Sequence, residues 1–188
     1  MSLESALKRY PVQKLMNDGL TVEIRPLQQD DRDLIKAFYP EVPEHERMFI
    51  KHPVTDMSIL DTWCDEIDYT WNLPLLVIHQ GKIVGEGTLH RRNGGWKQHI
   101  GLISVLTHPD YRGRGISELL VQELIQVGLQ VGLKRLQAEF NGERDVAINN
   151  FVEAGFSVLL RLPDYLEDMQ ANSHDYVLLG LDLSTIED

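Results

Sequence analysis

One stretch constrains the fold more than any other. Residues 100–107, Ile-Gly-Leu-Ile-Ser-Val-Leu-Thr, read as an apolar strand stopped by Pro109. After a short loop, apolar residues recur at Ile116, Leu119, Leu120, Leu124, Val127 and Val131, the spacing of one helix face, and Gly132 suits the C-terminal cap. Residues 135–140 return to strand. A strand that runs into a helix and then into another strand of the same sheet implies a parallel pair, which needs a crossover of this length.

Upstream the signals are hairpin signals. Residues 75–79 form an apolar strand, Gln80-Gly81-Lys82 a turn, residues 83–90 a second strand, and Asn93-Gly94-Gly95 a further turn. Residues 21–25 alternate and end at Pro26, which suits a first strand. Asp30 is placed to cap a helix over residues 31–38, and Met57, Leu60, Trp63, Cys64 and Ile67 share one face of a second helix over residues 56–69. Between them, Pro40, Pro43 and Pro53 imply loop with short helical pieces. Residues 146–154 predict a short helix closed by Gly155, and residues 157–161 and 176–182 two final strands. Residues 1–20, with Pro11 and the turn Asn17-Asp18-Gly19, read as an N-terminal extension to a domain over residues 21–188. The expected fold is an α/β (α+β) single domain: a central, mostly antiparallel sheet with one parallel pair, flanked by helices.

Composition narrows the function. In 188 residues, 29 acidic side chains against 18 Lys and Arg give a net charge of -11. That field opposes nonspecific nucleic-acid binding and favours a cationic acceptor such as a lysine-bearing protein or an amine. No segment has the roughly 18 apolar residues of a membrane span, and the first residues lack the apolar run of a signal peptide, so a cytoplasmic protein with no membrane partner is expected. The lone Cys64 makes no internal disulfide or multi-cysteine metal site and reads as packing. The histidines, among them His79, His90, His99 and His108, lack ligand spacing, so no metal is expected.

The chemistry sits in His108-Pro109-Asp110-Tyr111-Arg112-Gly113-Arg114-Gly115-Ile116-Ser117. A glycine-rich loop entering a helix offers unpaired amides and the positive end of the helix dipole to an anion. Gly113 and Gly115 let the backbone approach phosphate, and Arg112 and Arg114 add charge. The loop lacks the Gly-Lys-Ser/Thr ending of a triphosphate loop and the Gly-x-Gly-x-x-Gly of a dinucleotide fold. By itself it could be only a polar turn; its placement between an apolar strand and a periodic helix argues for an anion site.

Residues 105–115 resemble the acetyl-CoA motif of the GNAT acetyltransferases: strand, Pro, then Arg/Gln-x-x-Gly-x-Gly/Ala. Ile24-Arg25-Pro26-Leu27 resembles that family's first strand, and residues 147–156, ending Gly155-Phe156, its later helix. Residues 18–27 and 162–183 are similar to stretches of protein-lysine acetyltransferases. The resemblance implies a sheet splayed at the parallel pair, pantetheine paired to backbone at Val105 and Thr107 with Leu106 among the coenzyme-binding residues, and pyrophosphate on residues 113–117, with Ile116 and Ser117 supplying amides. It implies acetyl-CoA as cosubstrate, an amine acceptor, direct acyl transfer without a metal, and room for a homodimer.

The departures bear on catalysis. Ser117 stands where Gly or Ala is usual. Phe151, at the position that would adjoin the coenzyme, replaces the tyrosine that protonates the thiolate in many members. Leu102 stands where some carry a glutamate base. The resemblance to ribosomal-protein acetyltransferases makes Glu139 the candidate base; Glu86, between Gly85 and Gly87, is the reserve. A solvated strand-end carboxylate and an edge residue are the plainer readings of the two. Phe49, Trp63, Asp65, Glu66, Asp68 and Trp71 line a cation site or simply pack helices. These departures leave an acyl-CoA-binding domain with little catalysis as the alternative to an acyltransferase.

Overall fold

The computed structural model describes residues 3–47, 54 and 56–186. Its strands are β1 (Val12–Leu15), β2 (Thr21–Pro26), β3 (Asn72–His79), β4 (Lys82–His90), β5 (Ile100–Thr107), β6 (Arg135–Asn141), β7 (Ser157–Glu167) and β8 (Ser173–Asp182). They form one sheet in the order β1-β2-β3-β4-β5-β6-β8-β7. Only β5 and β6 run parallel; the other pairings are antiparallel. The helices are α1 (Glu4–Leu7), α2 (Arg32–Phe38), α3 (Glu44–Arg47), α4 (Met57–Asp65), α5 (Ile116–Gln130) and α6 (Asp145–Glu153).

The two faces of the sheet bury separate cores. Val22, Ile24, Leu75, Val84, Leu89, Ile103, Leu136, Ala138 and Val177 pack against the apolar stripe of α5 and against Ile148 and Phe151 of α6. On the opposite face Leu76 and Ile83 pack with Ile35, Phe38, Leu60 and Cys64 from α2 and α4. Alternation along each strand assigns side chains to these faces, so it also fixes which face each polar residue of β4 and β6 presents.

Several boundaries differ from the sequence reading. The 31–38 helix is not capped by Asp30. A 3-10 turn (Gln29–Asp31) precedes it, and Asp31 accepts from the Gln28 N–H at 2.7 Å while paired to Arg25. That buried ion pair selects Asp31 over its neighbour. Helix α4 stops at Asp65 rather than near Tyr69, because Asp68 accepts from the Thr70 N–H and turns the chain. Strands β7 and β8 extend beyond residues 161 and 176 into a long hairpin. The N-terminal extension folds onto the sheet: Leu3 and Ala6 are buried in the α5 core, and Arg9 pairs at 2.9 Å with the buried Glu123 of α5. Among the described residues no helix is long and apolar enough to cross a membrane.

Candidate active site

The parallel pair is short. Ile100, Gly101 and Leu102 face Arg135, Leu136 and Gln137, and then β5 and β6 part, β5 staying with β4 through Thr107 and β6 with β8 through Asn141. A wedge opens between them. The His108 N–H donates to Val84 O at 3.0 Å. Antiparallel alternation from that bond turns the backbone groups of Leu106 and Ser104 toward β4, and those of Val105 and Thr107 into the wedge. An extended ligand laid there meets a strand edge with no strand across it.

The loop that caps the wedge leads from β5 into α5. Gly115 is the N-cap in the left-handed region (φ 80°), with Gly113 also there (φ 72°). The Leu119 N–H donates to Gly115 O at 2.9 Å, but among the described residues the amides at 113–117 reach no backbone carbonyl. They are the unpaired donors of a first helical turn. A Cβ at Gly113 would meet nothing within 4 Å, so this turn is open to a ligand. The Ile116 side chain is buried, leaving only its amide for the loop.

The two loop arginines have different settings. Arg114 donates through Nε to Asp18, on the β1–β2 turn, and lies 5.6 Å over the Tyr111 ring. The Asp18 carboxyl is held below its ordinary value by the Leu20 N–H and then by Arg114. A cavity of about 430 Å³, lined in part by Lys14, Met16, Gly113, Arg114 and Gly115, lies beside this pair. Arg112 turns the other way and meets Glu46 of α3 at 2.8 Å.

Glu86 points away from α5. The reason is in its neighbours: a Cβ at Gly85 would come 2.5 Å from Ile116 Cγ2, and one at Gly87 3.2 Å from Leu120 and Leu124 methyls. Close approach of α5 demands glycine on that face, and Glu86 takes the other, where the Thr88 hydroxyl and Tyr39 bond its carboxylate. Burial pushes the Glu86 carboxyl up, partly offset by the Thr88 and Tyr39 hydrogen bonds. Tyr39 is buried against Trp63, and its phenol is raised well above the ordinary value by burial and then by Glu86.

Glu139 lies two residues beyond the last residue of β6 that pairs with β5, on the same face as Glu86 and exposed. It accepts from the Tyr176 hydroxyl at 3.1 Å. Burial, then Glu139, raise the Tyr176 phenol to about 12. Phe151 stacks edge-on with Phe140 and Phe156 inside the core, with only 2% of its surface exposed. Of the two readings offered for the aromatic and acidic residues of this region, the described ones fit packing: Trp63 packs on Tyr39, Asp65 pairs with Arg32, and Asp68 closes its own turn. Phe49 lies outside the described residues. Sequence reading missed Tyr39, Glu46 and Arg144; none has a local motif, and only the fold brings them to the wedge.

The chain belongs to the acetyltransferase (GNAT) family, whose model matches residues 32–156. Solved structures share the fold at low identity. The GNAT domain of S. lividans PAT is 19% identical, with 93% of this chain and 97% of that chain covered and a TM-score of 0.76. The ribosomal-protein-S5-alanine acetyltransferase of Vibrio fischeri is 14% identical, with 94% and 100% covered and a TM-score of 0.77. The yncA protein of Salmonella typhimurium, solved with its cofactor acetyl-CoA, is 18% identical, with 89% and 96% covered and a TM-score of 0.73. No curated protein matches the chain in sequence.

Proposed function

We propose that the protein is an acetyl-CoA-dependent N-acetyltransferase that moves an acetyl group directly to a primary amine. The observation that carries this reading is the wedge: a free strand edge at Val105 and Thr107 leads straight to the unpaired amides of residues 113–117. An arm that pairs like a strand and ends in a pyrophosphate suits that sequence of donors. Bound acetyl-CoA would supply the activated acyl group as a thioester.

The chain's own residues then manage protons. An ammonium acceptor must lose a proton before it attacks, and a carboxyl with a raised proton affinity takes it best near neutral pH. Glu86 and Glu139 present carboxylates on the same face from opposite sides of the wedge. We place Glu86 ahead of Glu139 as the base, because Glu86 is half-buried, has its carboxyl raised by desolvation and is fixed by two hydroxyls, whereas Glu139 is exposed. Phe151 has no proton for the leaving thiolate. The Tyr176 hydroxyl, protonated at neutral pH and on the acceptor face, is the phenol we assign to that task. Glu86, Glu139 and the net charge of -11 suit a cationic acceptor, a lysine-bearing protein or a small amine.

Thiol release from acetyl-CoA over a panel of amines and lysine peptides tests the reading. Amine-dependent CoA release supports it; tight acetyl-CoA binding without release on any amine would leave a coenzyme-binding domain instead.

A further inference from the structure

Glu46 is 6% exposed, yet it lies on the four-residue helix α3 in the α2–α4 connection, far in sequence from the wedge. Its Oε1 sits 2.8 Å from Arg112 Nη2, on the loop that follows β5. Its Oε2 sits 3.0 Å from Arg144 Nη1, at the start of α6 just after β6. The first contact is a charge-assisted pair; the second is close in distance but not directed as a hydrogen bond. One carboxylate thus joins the two chain segments that leave the parting strands. Beyond residues 102 and 137 no backbone ladder links β5 to β6, so this side chain is a connection across their diverging ends. The same short stretch also carries Tyr39, which bonds Glu86.

We propose that Glu46 is a positioning residue that sets the width of the wedge between β5 and β6 for the acyl-pantetheine arm of the coenzyme. The inference rests on the reading that acetyl-CoA lies in the wedge. A buried carboxylate between two guanidiniums resists spreading, since drawing either guanidinium away leaves a buried charge uncompensated, and its bulk resists collapse. The arm reads strand spacing through its pairing with Val105 and Thr107, so a change of a few tenths of an ångström in the edge is felt there. The nucleotide half instead meets the amides of residues 113–117, which the left-handed Gly115 and the start of α5 hold in place.

The test compares two ligands by calorimetry: acetyl-CoA, and 3′-phosphoadenosine 5′-diphosphate, which has the phosphates but no arm. Glu46→Gln keeps shape and removes the charge. Arg144→Met cuts the cross-wedge half while leaving Glu46 paired to Arg112, and it removes a partly exposed side chain, so it remains informative should Glu46→Gln not fold. In both variants acetyl-CoA is expected to bind about tenfold more weakly while the nucleotide changes less than about twofold. Glu46→Asp, which keeps the charge, should recover part of the loss. Unchanged acetyl-CoA affinity overturns the proposal. Equal losses for both ligands also overturn it, since the tie would then serve the phosphate loop or the fold at large. Tighter binding overturns it too, marking Glu46 as a competing anion. Wild-type protein that binds neither ligand overturns the functional reading itself, and this inference with it.

Discussion

Gly85 of β4 lies directly beneath Ile116, the first residue of α5: a Cβ on the glycine would stand 2.5 Å from Ile116 Cγ2. Ile116 is 1% exposed and follows the N-cap Gly115, so its side chain cannot swing aside without moving the helix start. The position of this first helical turn is therefore set by the absence of a side chain on the sheet below it. Gly85→Ala is expected to cost about 1–3 kcal/mol by overpacking and to weaken acetyl-CoA binding as the first turn lifts. Urea denaturation and calorimetry on the same protein check both effects. Native-like stability with full affinity would show that the helix is free to shift.

The phosphate loop gives a second prediction. Gly115 has φ 80°, so any side chain there bears backbone strain of roughly 1–2 kcal/mol. Gly115→Ala carries that cost together with a close contact, 3.3 Å from the added Cβ to the flexible end of Met16, and should lower the melting point with modest loss of affinity. Gly115→Glu adds a negative charge against the pyrophosphate and is expected to abolish acetyl-CoA binding in a protein no less stable than Gly115→Ala. Arg114→Ala should weaken binding less, by about 3–10-fold at low salt, with the difference shrinking as salt screens the half-buried guanidinium. Calorimetry at two ionic strengths distinguishes these cases. Unchanged affinity in folded Gly115→Glu protein would remove this loop from the coenzyme site.

Donor class is the third. A ligand present at a hundredfold excess over its Kd stabilises the native state by about 2.7 kcal/mol, which for a domain of this size is a melting shift of about 5–10 °C. Acetyl-CoA and CoA are expected to give shifts of that order, and NAD, ATP and GTP little. The motif has neither a dinucleotide nor a triphosphate signature, and the wedge fits an extended arm. A larger shift with NAD than with acetyl-CoA would reassign the loop.

Much of this fold was legible because its strongest signals are local. The change of period at Ile116, the turn at Gln80-Gly81 and the glycines of residues 113–115 each reflect a backbone need that a few neighbouring residues state outright. Of the candidate site, only the loop half was legible, for the same reason. Asp31 rather than Asp30 organises the start of α2 because Arg25, on another element, pairs with it. Tyr39 reaches Glu86 across the α2 face, and Glu46 reaches arginines 66 and 98 residues later in the chain. Such pairings depend on where elements dock, and no spacing along the chain encodes them. The Gly85-Glu86-Gly87 triplet is the intermediate case: its alternation was visible, but its meaning needed α5 above it.

The last prediction concerns the base and is stated as a pH profile. Burial raises the Glu86 carboxyl above its ordinary value of 4.5. As a base it must be ionised, so acceptor-dependent turnover in the wild type should rise with pH through that raised value, as well as with deprotonation of the amine. Glu86→Gln should lose that lower limb and lower turnover by about a hundredfold or more, the usual worth of a positioned base, while acetyl-CoA affinity stays near wild type. Glu139→Gln should act mainly through Tyr176, whose hydroxyl loses a charged acceptor; it should lower turnover less and leave the lower limb in place. Stability provides an independent check with a definite sign. Because the folded value lies above the unfolded one, ionising Glu86 works against the native state: its contribution is most favourable below the ordinary carboxylate range and is lost as pH rises through the raised value. Relative to wild type, Glu86→Gln should therefore gain stability as pH increases across that window, measured by urea melts. The structural claim fails if the stability difference is flat with pH. The catalytic claim fails if Glu86→Gln keeps wild-type turnover while Glu139→Gln abolishes it, which would return the base to the far side of the wedge.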